Sequence, residues 1–484
     1  MKMRSEPMQL LAPASASETV ASAASLSEAH RSVLVPRNAR GWRQFAAVAG
    51  PGFMVSVGYM DPGNWGTDLA GGAKFGYRLL WVILGSSLMA MLLQTLCVRL
   101  GLATGKDLAQ MCRDEYKKPA CIALWLLCEV AIIACDLAEV IGSAVALNLL
   151  TGLPLVAGVL VTGFDVLLLL GLTKLGFRKL EAVVITLVAT IAGCFLLEVV
   201  MAHPDWRGVL QGTFVPSLPS RDALYVSLAI LGATVMPHNL YLHSSLVQTR
   251  DHDRSPNGIR QAIRFNTLDT LIALGAAFFV NAAILVVAAA VFHNRGLMNV
   301  EDLGEAHRLL TPLLGGAAAT AFALALLASG QSSTITGTLA GQIVMEGFVH
   351  LRVAPWLRRL ITRSLAIIPA VVIIGASGGK NTVGLLVFSQ VILSMQLSFA
   401  TFPLLMFTSD PRKMGAFVNA LWLKAAGYFV CIVIAALNFY LLGQTAYDHF
   451  KIGGIAALAA ITLGVIVFSL WVKYGYRESA RSIP

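Results

Sequence analysis

The stretch Asp61-Pro62-Gly63-Asn64 lies inside the first strongly apolar segment of the chain, after Val55-Ser56-Val57-Gly58 and before Trp65-Gly66-Thr67-Asp68. Pro and Gly together break a helix and free backbone carbonyls, and an ionisable side chain at membrane depth usually faces a cavity, a partner or an ion. A second break, Met236-Pro237-His238, occurs in a later apolar segment. We therefore interpret both breaks as parts of one binding site.

The composition predicts an integral membrane protein. Of the 484 residues, 57% are hydrophobic and 13% are charged, and the mean hydropathy is +0.73, far from the values of a soluble domain. We therefore expect most of the chain to lie in a lipid bilayer. The net charge of +10 would suggest nucleic acid in a soluble chain, but in a membrane protein it reports topology, so we expect no nucleic-acid partner.

Twelve apolar stretches are long enough to span about 30 Å of hydrocarbon. They cover residues 45–70, 79–101, 120–150, 154–173, 180–201, 222–249, 266–293, 313–349, 357–377, 381–408, 416–442 and 453–473. Residues 1–44 are rich in Ala and Ser and lack a continuous apolar segment, which predicts a disordered cytoplasmic tail rather than a signal peptide. The chain then divides into a ten-helix core, 45–408, and a final part, 409–484, with two additional helices and a short tail.

The distribution of basic residues predicts the orientation. With the N-terminus in the cytoplasm, the inside segments carry 26 Lys and Arg residues and the outside segments carry 8. Cytoplasmic loops of membrane proteins carry such an excess. We therefore expect a multi-pass protein of the cell membrane with both termini in the cytoplasm.

The broken spans are the first and the sixth in this count. This position is expected if spans one to five and six to ten are inverted repeats, each of which begins with a discontinuous helix. The carbonyls freed at two such breaks lie near the middle of the membrane and can coordinate an ion. The pattern predicts an all-α membrane protein with a 5+5 inverted repeat.

The groups at the two breaks indicate which ion could bind. The first break offers the Asp61 carboxylate, the Asn64 amide and free carbonyls, which are hard ligands suited to Mg²⁺, Ca²⁺ or Mn²⁺. The second adds the Met236 thioether beside the Ala233 carbonyl, with His238 close by. Sulfur favours softer transition metals, although Met236 could also be ordinary apolar packing.

Three acids in the third span share one helical face: Glu129, Asp136 and Glu139. A row of acids inside a membrane helix is typical of a proton relay, to which His238 and His243 would add groups that titrate near neutral pH. The alternative is a structural acid pair neutralised by Arg363 of the ninth span.

The amides and thiols inside the predicted spans could have a functional role or could serve only in helix packing. Gln390 in the tenth span is either a ligand or gating group or an interhelical hydrogen-bond partner, and Asn281 in the seventh span is a similar buried amide. Cys121, Cys128 and Cys135 recur every seven residues. They could form a row of thiol ligands, but small residues on one packed helix face are the favoured explanation, and we expect no zinc site or disulfide framework.

Several motifs resemble the NRAMP family over residues 45–440. They are Asp61-Pro62-Gly63-Asn64 followed by Thr67-Asp68, Gly71-Gly72-Ala73-Lys74-Phe75-Gly76-Tyr77, Met236-Pro237-His238-Asn239-Leu240-Tyr241-Leu242-His243-Ser244, Gly330-Gln331-Ser332-Ser333-Thr334-Ile335-Thr336-Gly337-Thr338-Leu339-Ala340-Gly341-Gln342 and Ser389-Gln390-Val391. The resemblance implies a LeuT-type fold and import of Mn²⁺ or Fe²⁺ together with protons by alternating access. Members that carry Mg²⁺ lack the methionine that this chain has at position 236.

The resemblance also implies roles for single residues. Those of the metal site would be Asp61, Asn64, Ala233, Met236 and Gln390, and those of the proton pathway Asp61, Glu129, Asp136, Glu139, His238 and Arg363. Asn281 resembles a gating position. Metal ions and protons would be transported substrates, so no cofactor is expected, and we expect a monomer.

Two other classes of transport protein must be weighed. A sodium-coupled symporter of an organic solute on the same fold would need small hydroxyl residues and a first break without an acid, which this sequence does not have. A channel or metal-sensing receptor would use the breaks as a gate, and accumulation against a gradient separates it from a symporter. An enzyme is not expected, because the sequence has no nucleophile and base set, phosphate loop or cofactor motif.

Overall fold

A computed structural model describes residues 29–36, 41–165, 171, 176–298, 300, 303–351, 353–377 and 382–450. These residues are almost entirely helical. The helices are α1 Trp42–Val48, α2 Pro51–Ser56, α3 Pro62–Phe75, α4 Leu80–Thr104, α5 Leu108–Glu115, α6 Lys118–Thr151, α7 Leu155–Val161, α8 Phe177–Ala202, α9 Trp206–Phe214, α10 Arg221–Thr234, α11 Pro237–Leu246, α12 Pro256–Val291, α13 Leu303–Leu314, α14 Gly316–Val349, α15 Pro355–Ser377, α16 Thr382–Thr408, α17 Pro411–Met414 and α18 Leu421–Phe450. The strands β1 Val33–Leu34 and β2 Arg250–Asp251 form one short parallel pair.

Eight helical stretches of the described residues are long and apolar enough to cross a membrane, and the first, Pro62–Thr104, contains both α3 and α4. Eleven of the twelve predicted spans overlap described helices. The twelfth, 453–473, and the second half of the fourth lie outside the described residues. The chain is a multi-pass membrane protein.

Two predicted boundaries were wrong. The first span begins at Pro51 rather than at residue 45, because Gly50 (φ 137°) separates it from the short helix α1. The seventh span begins at Pro256, ten residues before the predicted start. Counted toward the N-terminus, the apolar residues end at Arg264. The helix extends further in the same direction, to the cap that Ser255 provides.

Both predicted breaks are present. A short 3-10 turn, Val57–Met60, follows α2, and Asp61 then has an extended backbone before α3. In the second broken helix, Val235 and Met236 leave the helical conformation between α10 and α11. Pro62 and Pro237 each occupy the first position of the next helix, where the missing N–H has no intrahelical partner in any case.

The packing of the two broken helices is antiparallel. α10 packs on α3, and α11 packs on α2, so the first half of each broken helix lies beside the second half of the other. This arrangement brings the two breaks together in the middle of the helical bundle. α12 packs on α3, while α14 and α16 both pack on α6.

The predicted tail, 1–44, is ordered in the part that the structure describes. Val33 and Leu34 pair with Arg250 and Asp251, and His30 lies 3.1 Å from the Ser245 hydroxyl. This pairing was not foreseen because it joins residues more than 200 positions apart. Residues 1–28 and 37–40 lie outside the described residues.

Candidate metal centre

Asp61 is positioned by the helix that follows it. Its Oδ1 accepts hydrogen bonds from the backbone N–H of Asn64 at 2.8 Å and from Asn64 Nδ2 at 2.7 Å, so it caps the N-terminus of α3. Its Oδ2 lies 3.9 Å from the Sγ of Cys135 on α6. The side chain is completely buried. The break therefore holds a carboxylate at a defined point inside the bundle.

The Asn64 amide joins the two breaks. Its Nδ2 donates to Gly58 O at 3.2 Å, to Asp61 Oδ1 at 2.7 Å and to Ala233 O at 3.1 Å. Gly58 lies in the 3-10 turn of the first broken helix, and Ala233 lies in the last turn of α10. Three oxygens from both breaks thus converge on one nitrogen, and the structure brings Asp61, Asn64 and Ala233 together.

Asn281 on α12 fixes the orientation of this amide. Its Nδ2 donates to Tyr59 O at 2.8 Å and to Asn64 Oδ1 at 3.3 Å. A donor faces the Asn64 oxygen and only acceptors face its nitrogen, so the network fixes the amide in this orientation, with two N–H groups shared among three acceptors. The residue predicted to act in gating therefore touches the predicted metal site directly.

Met236 lies against the first break. A Cβ placed on Gly58 would be 3.3 Å from Met236 Sδ, so the thioether covers the backbone at this turn. The side chain is fully buried and also packs in an apolar cluster with Cys135 and Leu393. The sulfur thus lies beside the first break, and the side chain contributes to packing as well.

Gln390 on α16 completes the surroundings of Asp61. A Cβ placed on Gly63 would be 1.7 Å from Gln390 Nε2 and 3.1 Å from Asp61 Oδ2, so the glycine allows the two side chains to approach each other. Gln390 is fully buried, and its Oε1 has no hydrogen-bond partner in the part of the chain that the structure describes. This oxygen is a candidate ligand. All five predicted metal-site residues are brought together.

The acids of α6 form ion pairs with α15. Arg359 Nη1 lies 2.5 Å from Asp136 Oδ1, and Arg359 Nη2 lies 3.3 Å from Glu139 Oε2. Arg363 is farther away, at 3.9 Å from Asp136 and 3.4 Å from Glu139. Arg363, the partner considered for a structural acid pair, does contact both acids, and Arg359, which was not predicted, makes the closer contacts.

Two further ion pairs extend this network. Arg363 Nη2 makes its shortest contact with Asp165 Oδ2, at 2.6 Å. Arg358 Nη2 lies 3.0 Å from both carboxylate oxygens of Glu129. Sequence reasoning missed Arg358, Arg359 and Asp165. The adjacent arginines at the start of the ninth span were the available signal, since a charge at the edge of an apolar span needs a partner.

The long motif of the eighth span also contacts the acids. Ser333 Oγ donates to Glu139 Oε1 at 2.6 Å, and Thr334 Oγ1 donates to Glu139 Oε2 at 3.1 Å. Cys135 Sγ lies 3.8 Å from Glu139 Oε1 and also contacts Asp61. Of the three cysteines at seven-residue spacing, Cys135 is the one between the metal site and the acid network.

The two histidines are not part of this ion-pair network. His238 is buried, and among the described residues no hydrogen bond or ion pair joins it to Asp136 or Glu139. His243 Nδ1 instead lies 2.9 Å from Gln94 Oε1 on α4, outside the ion-pair network. The assignment of His238 to a proton pathway stays a prediction.

The family profile described as natural resistance-associated macrophage protein-like, Nramp, matches residues 52–444. The chain belongs to the Nramp family. The predicted resemblance is therefore confirmed.

Individual relatives cover nearly the whole chain. The divalent metal cation transporter MntH of Nostoc sp. is 58% identical over 427 residues, which are 87% of this chain and 96% of the relative. The protein of the same name from Agrobacterium fabrum is 56% identical over 422 residues, 86% of this chain and 91% of the relative. These relatives are transporters, which confirms that the chain was correctly predicted not to be an enzyme.

Solved structures confirm the predicted LeuT-type fold. The manganese transporter of Eremococcus coleocola has a TM-score of 0.86 and 39% identity, and the match covers 93% of this chain and 99% of that one. Mhp1, a transporter of the nucleobase-cation-symport-1 family, has a TM-score of 0.54 at 16% identity, over 90% of this chain and 94% of Mhp1. The match with Mhp1 shows a shared fold and nothing about function.

Proposed function

We propose that this Nramp-family chain imports divalent transition metal ions, Mn²⁺ and Fe²⁺, across the cell membrane together with protons, by alternating access. The observation that carries the proposal is the convergence of Gly58 O, Asp61 Oδ1 and Ala233 O on the Asn64 amide nitrogen. Oxygens of this kind are ligands for Mn²⁺, and the names of the relatives describe metal transport.

Metal binding requires a movement of Asn64. An amide NH₂ group cannot ligate a cation, so the side chain must turn its oxygen toward an ion held by Asp61 and Ala233 O. Asn281 then has to release Asn64 Oδ1, to which it now donates. Ion binding would therefore break the hydrogen bond from Asn281 and remove one contact between α12 and the first break.

The acid network supports the proton part of the proposal. Asp136, Glu139 and Asp165 face only two guanidinium groups, Arg359 and Arg363, within this cluster. One carboxylate is in excess, and a proton would remove the uncompensated charge in a medium of low dielectric constant. Cys135 lies within 4 Å of both Asp61 and Glu139, which supports a proton site next to the proposed metal site.

Contacts at one membrane face support alternating access. Arg250 donates to Val48 O at 2.9 Å and to Ala49 O at 2.7 Å and forms a buried ion pair with Glu181. Asp269 accepts from the backbone N–H of Gly52 at 2.7 Å. These contacts hold the start of the first broken helix, and opening on this side requires them to separate. By the distribution of basic residues this side is cytoplasmic.

The metal site is tested by uptake of Mn²⁺ into proteoliposomes. Asp61→Asn keeps the shape but removes the charge, and uptake should fall to background, since the carboxylate is the full negative charge at the breaks. The matched control is Glu198→Gln, which removes another buried carboxyl, on α8, that makes no hydrogen bond or ion pair with either break among the described residues. Equal uptake by Asp61→Asn and the wild type would refute the site.

The thioether is tested by selectivity. Met236→Ala should reduce the preference for Mn²⁺ and Cd²⁺ over Ca²⁺ and Mg²⁺ while uptake continues, because the hard ligands remain. Met54→Ala, another buried methionine in α2, controls for packing loss. An unchanged preference in Met236→Ala would show that the sulfur serves only in packing.

Proton coupling is tested in the same vesicles. Accumulation of Mn²⁺ against its gradient, driven by an imposed pH difference, is expected for a symporter and not for a channel. Glu139→Gln should retain metal binding but lose the accompanying proton flux, with Glu198→Gln again as control. Equal proton flux in Glu139→Gln and the wild type would exclude the acid network as the proton path.

A further inference from the structure

A pocket separate from the metal centre opens where α6 begins and α14 ends. It has a volume of about 590 Å³, which lies in the range of sites for small organic ligands. Arg113 of α5, Lys118 of α6 and His350 after α14 form its polar rim. Ile122 and Phe348 contribute apolar surface. The lining thus combines basic groups with apolar surface.

The charge of the pocket favours an anion. Arg113 is held in place because its Nη1 donates to Gly347 O at 2.6 Å and to Glu346 O at 3.3 Å. The one acid of the lining, Asp114, is 2.7 Å from Lys106 Nζ and 3.6 Å from Arg113 Nε, so two basic neighbours compensate its charge. Lys118 and His350 are exposed. They are free to turn toward a ligand.

The depth of the pocket points to a lipid. It lies at the ends of two membrane-spanning helices, which is the level of phospholipid headgroups. From Ile122 an exposed apolar stripe continues along α6 through Leu126 and Val130, with 37%, 52% and 55% of each residue exposed. Positions four residues apart lie on one helix face, so the stripe leads from the pocket into the hydrocarbon region.

We propose that this pocket binds an anionic phospholipid, with the phosphate of the headgroup at Arg113, Lys118 and His350 and an acyl chain along Ile122, Leu126 and Val130. Basic pockets at the ends of membrane helices recognise anionic headgroups in this way. A soluble phosphate ester would satisfy the rim but leave the stripe unused. The site does not depend on the metal centre, and it adds a lipid ligand to the proposed transporter.

The test uses the purified full-length chain in detergent with phosphatidylglycerol or phosphatidylcholine of identical acyl chains. Binding is read by native mass spectrometry, independently of transport. Phosphatidylglycerol should be retained preferentially by the wild type. Lys118→Gln should weaken this retention about fivefold, as expected for one basic residue near a membrane surface. Lys118→Gln combined with His350→Gln should weaken it further.

Lys179→Gln is the matched control, because Lys179 is also an exposed lysine near the start of a membrane helix but lies outside the pocket. It should retain phosphatidylglycerol as the wild type does. Unchanged retention by the double variant, or equal loss in the control, would overturn the proposal. Competition by soluble glycerol phosphate at the same concentration as the lipid would also overturn it, since the acyl chain would then contribute nothing.

Discussion

Arg359→Met is the most informative substitution in the acid network, because it removes the closest cation from two buried carboxyl groups. Asp136 and Glu139 are at most 1% exposed, and Arg359 lies 2.5 Å from the first and 3.3 Å from the second. After the substitution, Arg363 remains at 3.9 Å and 3.4 Å. Arg363→Met is the natural comparison, since its shortest contact is with Asp165, which is 11% exposed.

The distances set the expected order of the two effects. At an effective dielectric constant of about 20, opposite charges attract by about 7 kcal/mol at 2.5 Å and about 4 kcal/mol at 3.9 Å. Asp136 therefore loses its stronger partner in Arg359→Met. Breaking a buried pair typically costs about 3–5 kcal/mol. Arg363→Met should cost about 1–3 kcal/mol, because Arg359 still compensates the buried acids and water reaches Asp165.

Unfolding of the purified variants in mixed micelles, followed by tryptophan fluorescence, measures these differences. Arg359→Met should be the less stable variant. The double variant Arg359→Met with Asp136→Asn should recover part of the loss, because the uncompensated charge is removed along with its partner. A larger loss in Arg363→Met, or no recovery in the double variant, would refute the assignment of Arg359 as the principal partner.

Two further predictions concern a titrating cap and a close helix contact. Burial raises the pKa of Asp107, the N-cap of α5, to about 7. The folded chain therefore keeps a proton on Asp107 that the unfolded chain releases near pH 4. Because of this difference, the free energy of unfolding should fall as pH rises from 4 to 7. Asp107→Asn keeps the cap and should flatten this fall in melting curves between pH 5 and 8, whereas an unchanged slope would exclude Asp107 as its source. Gly63→Ala should displace the Gln390 side chain, which lies 1.7 Å from the added Cβ, and weaken Mn²⁺ binding in calorimetry without loss of folded protein. Gly232→Ala, whose Cβ would be 2.2 Å from the backbone oxygen of Gln390, should instead reduce the yield of folded protein, because a backbone atom cannot move aside as a side chain can. A normal yield for Gly232→Ala together with a reduced yield for Gly63→Ala would contradict these two contacts.

Local sequence was sufficient for the membrane spans and their breaks. Long apolar stretches predict helices because hydrocarbon leaves backbone groups no partner but each other. Pro62 and Pro237 lack the N–H that a continuous helix needs, and both stand next to polar side chains inside an apolar segment, so both interruptions could be located without any tertiary contact. The predicted metal-site residues came from the same two breaks, since Asp61, Asn64, Ala233 and Met236 all lie within a turn of them.

Only the tertiary structure decided which groups pair across the bundle. Helical periodicity placed Glu129, Asp136 and Glu139 on one face of α6, but the choice between Arg359 and Arg363 depends on the rotation and height of α15 against that face. A single sequence specifies the face of each helix and not the register between helices. The bond from Asn281 to Asn64 spans 217 positions for the same reason. Sequence by itself therefore determined where the helices break and which ligands they offer, and packing determined how the charges are matched around them.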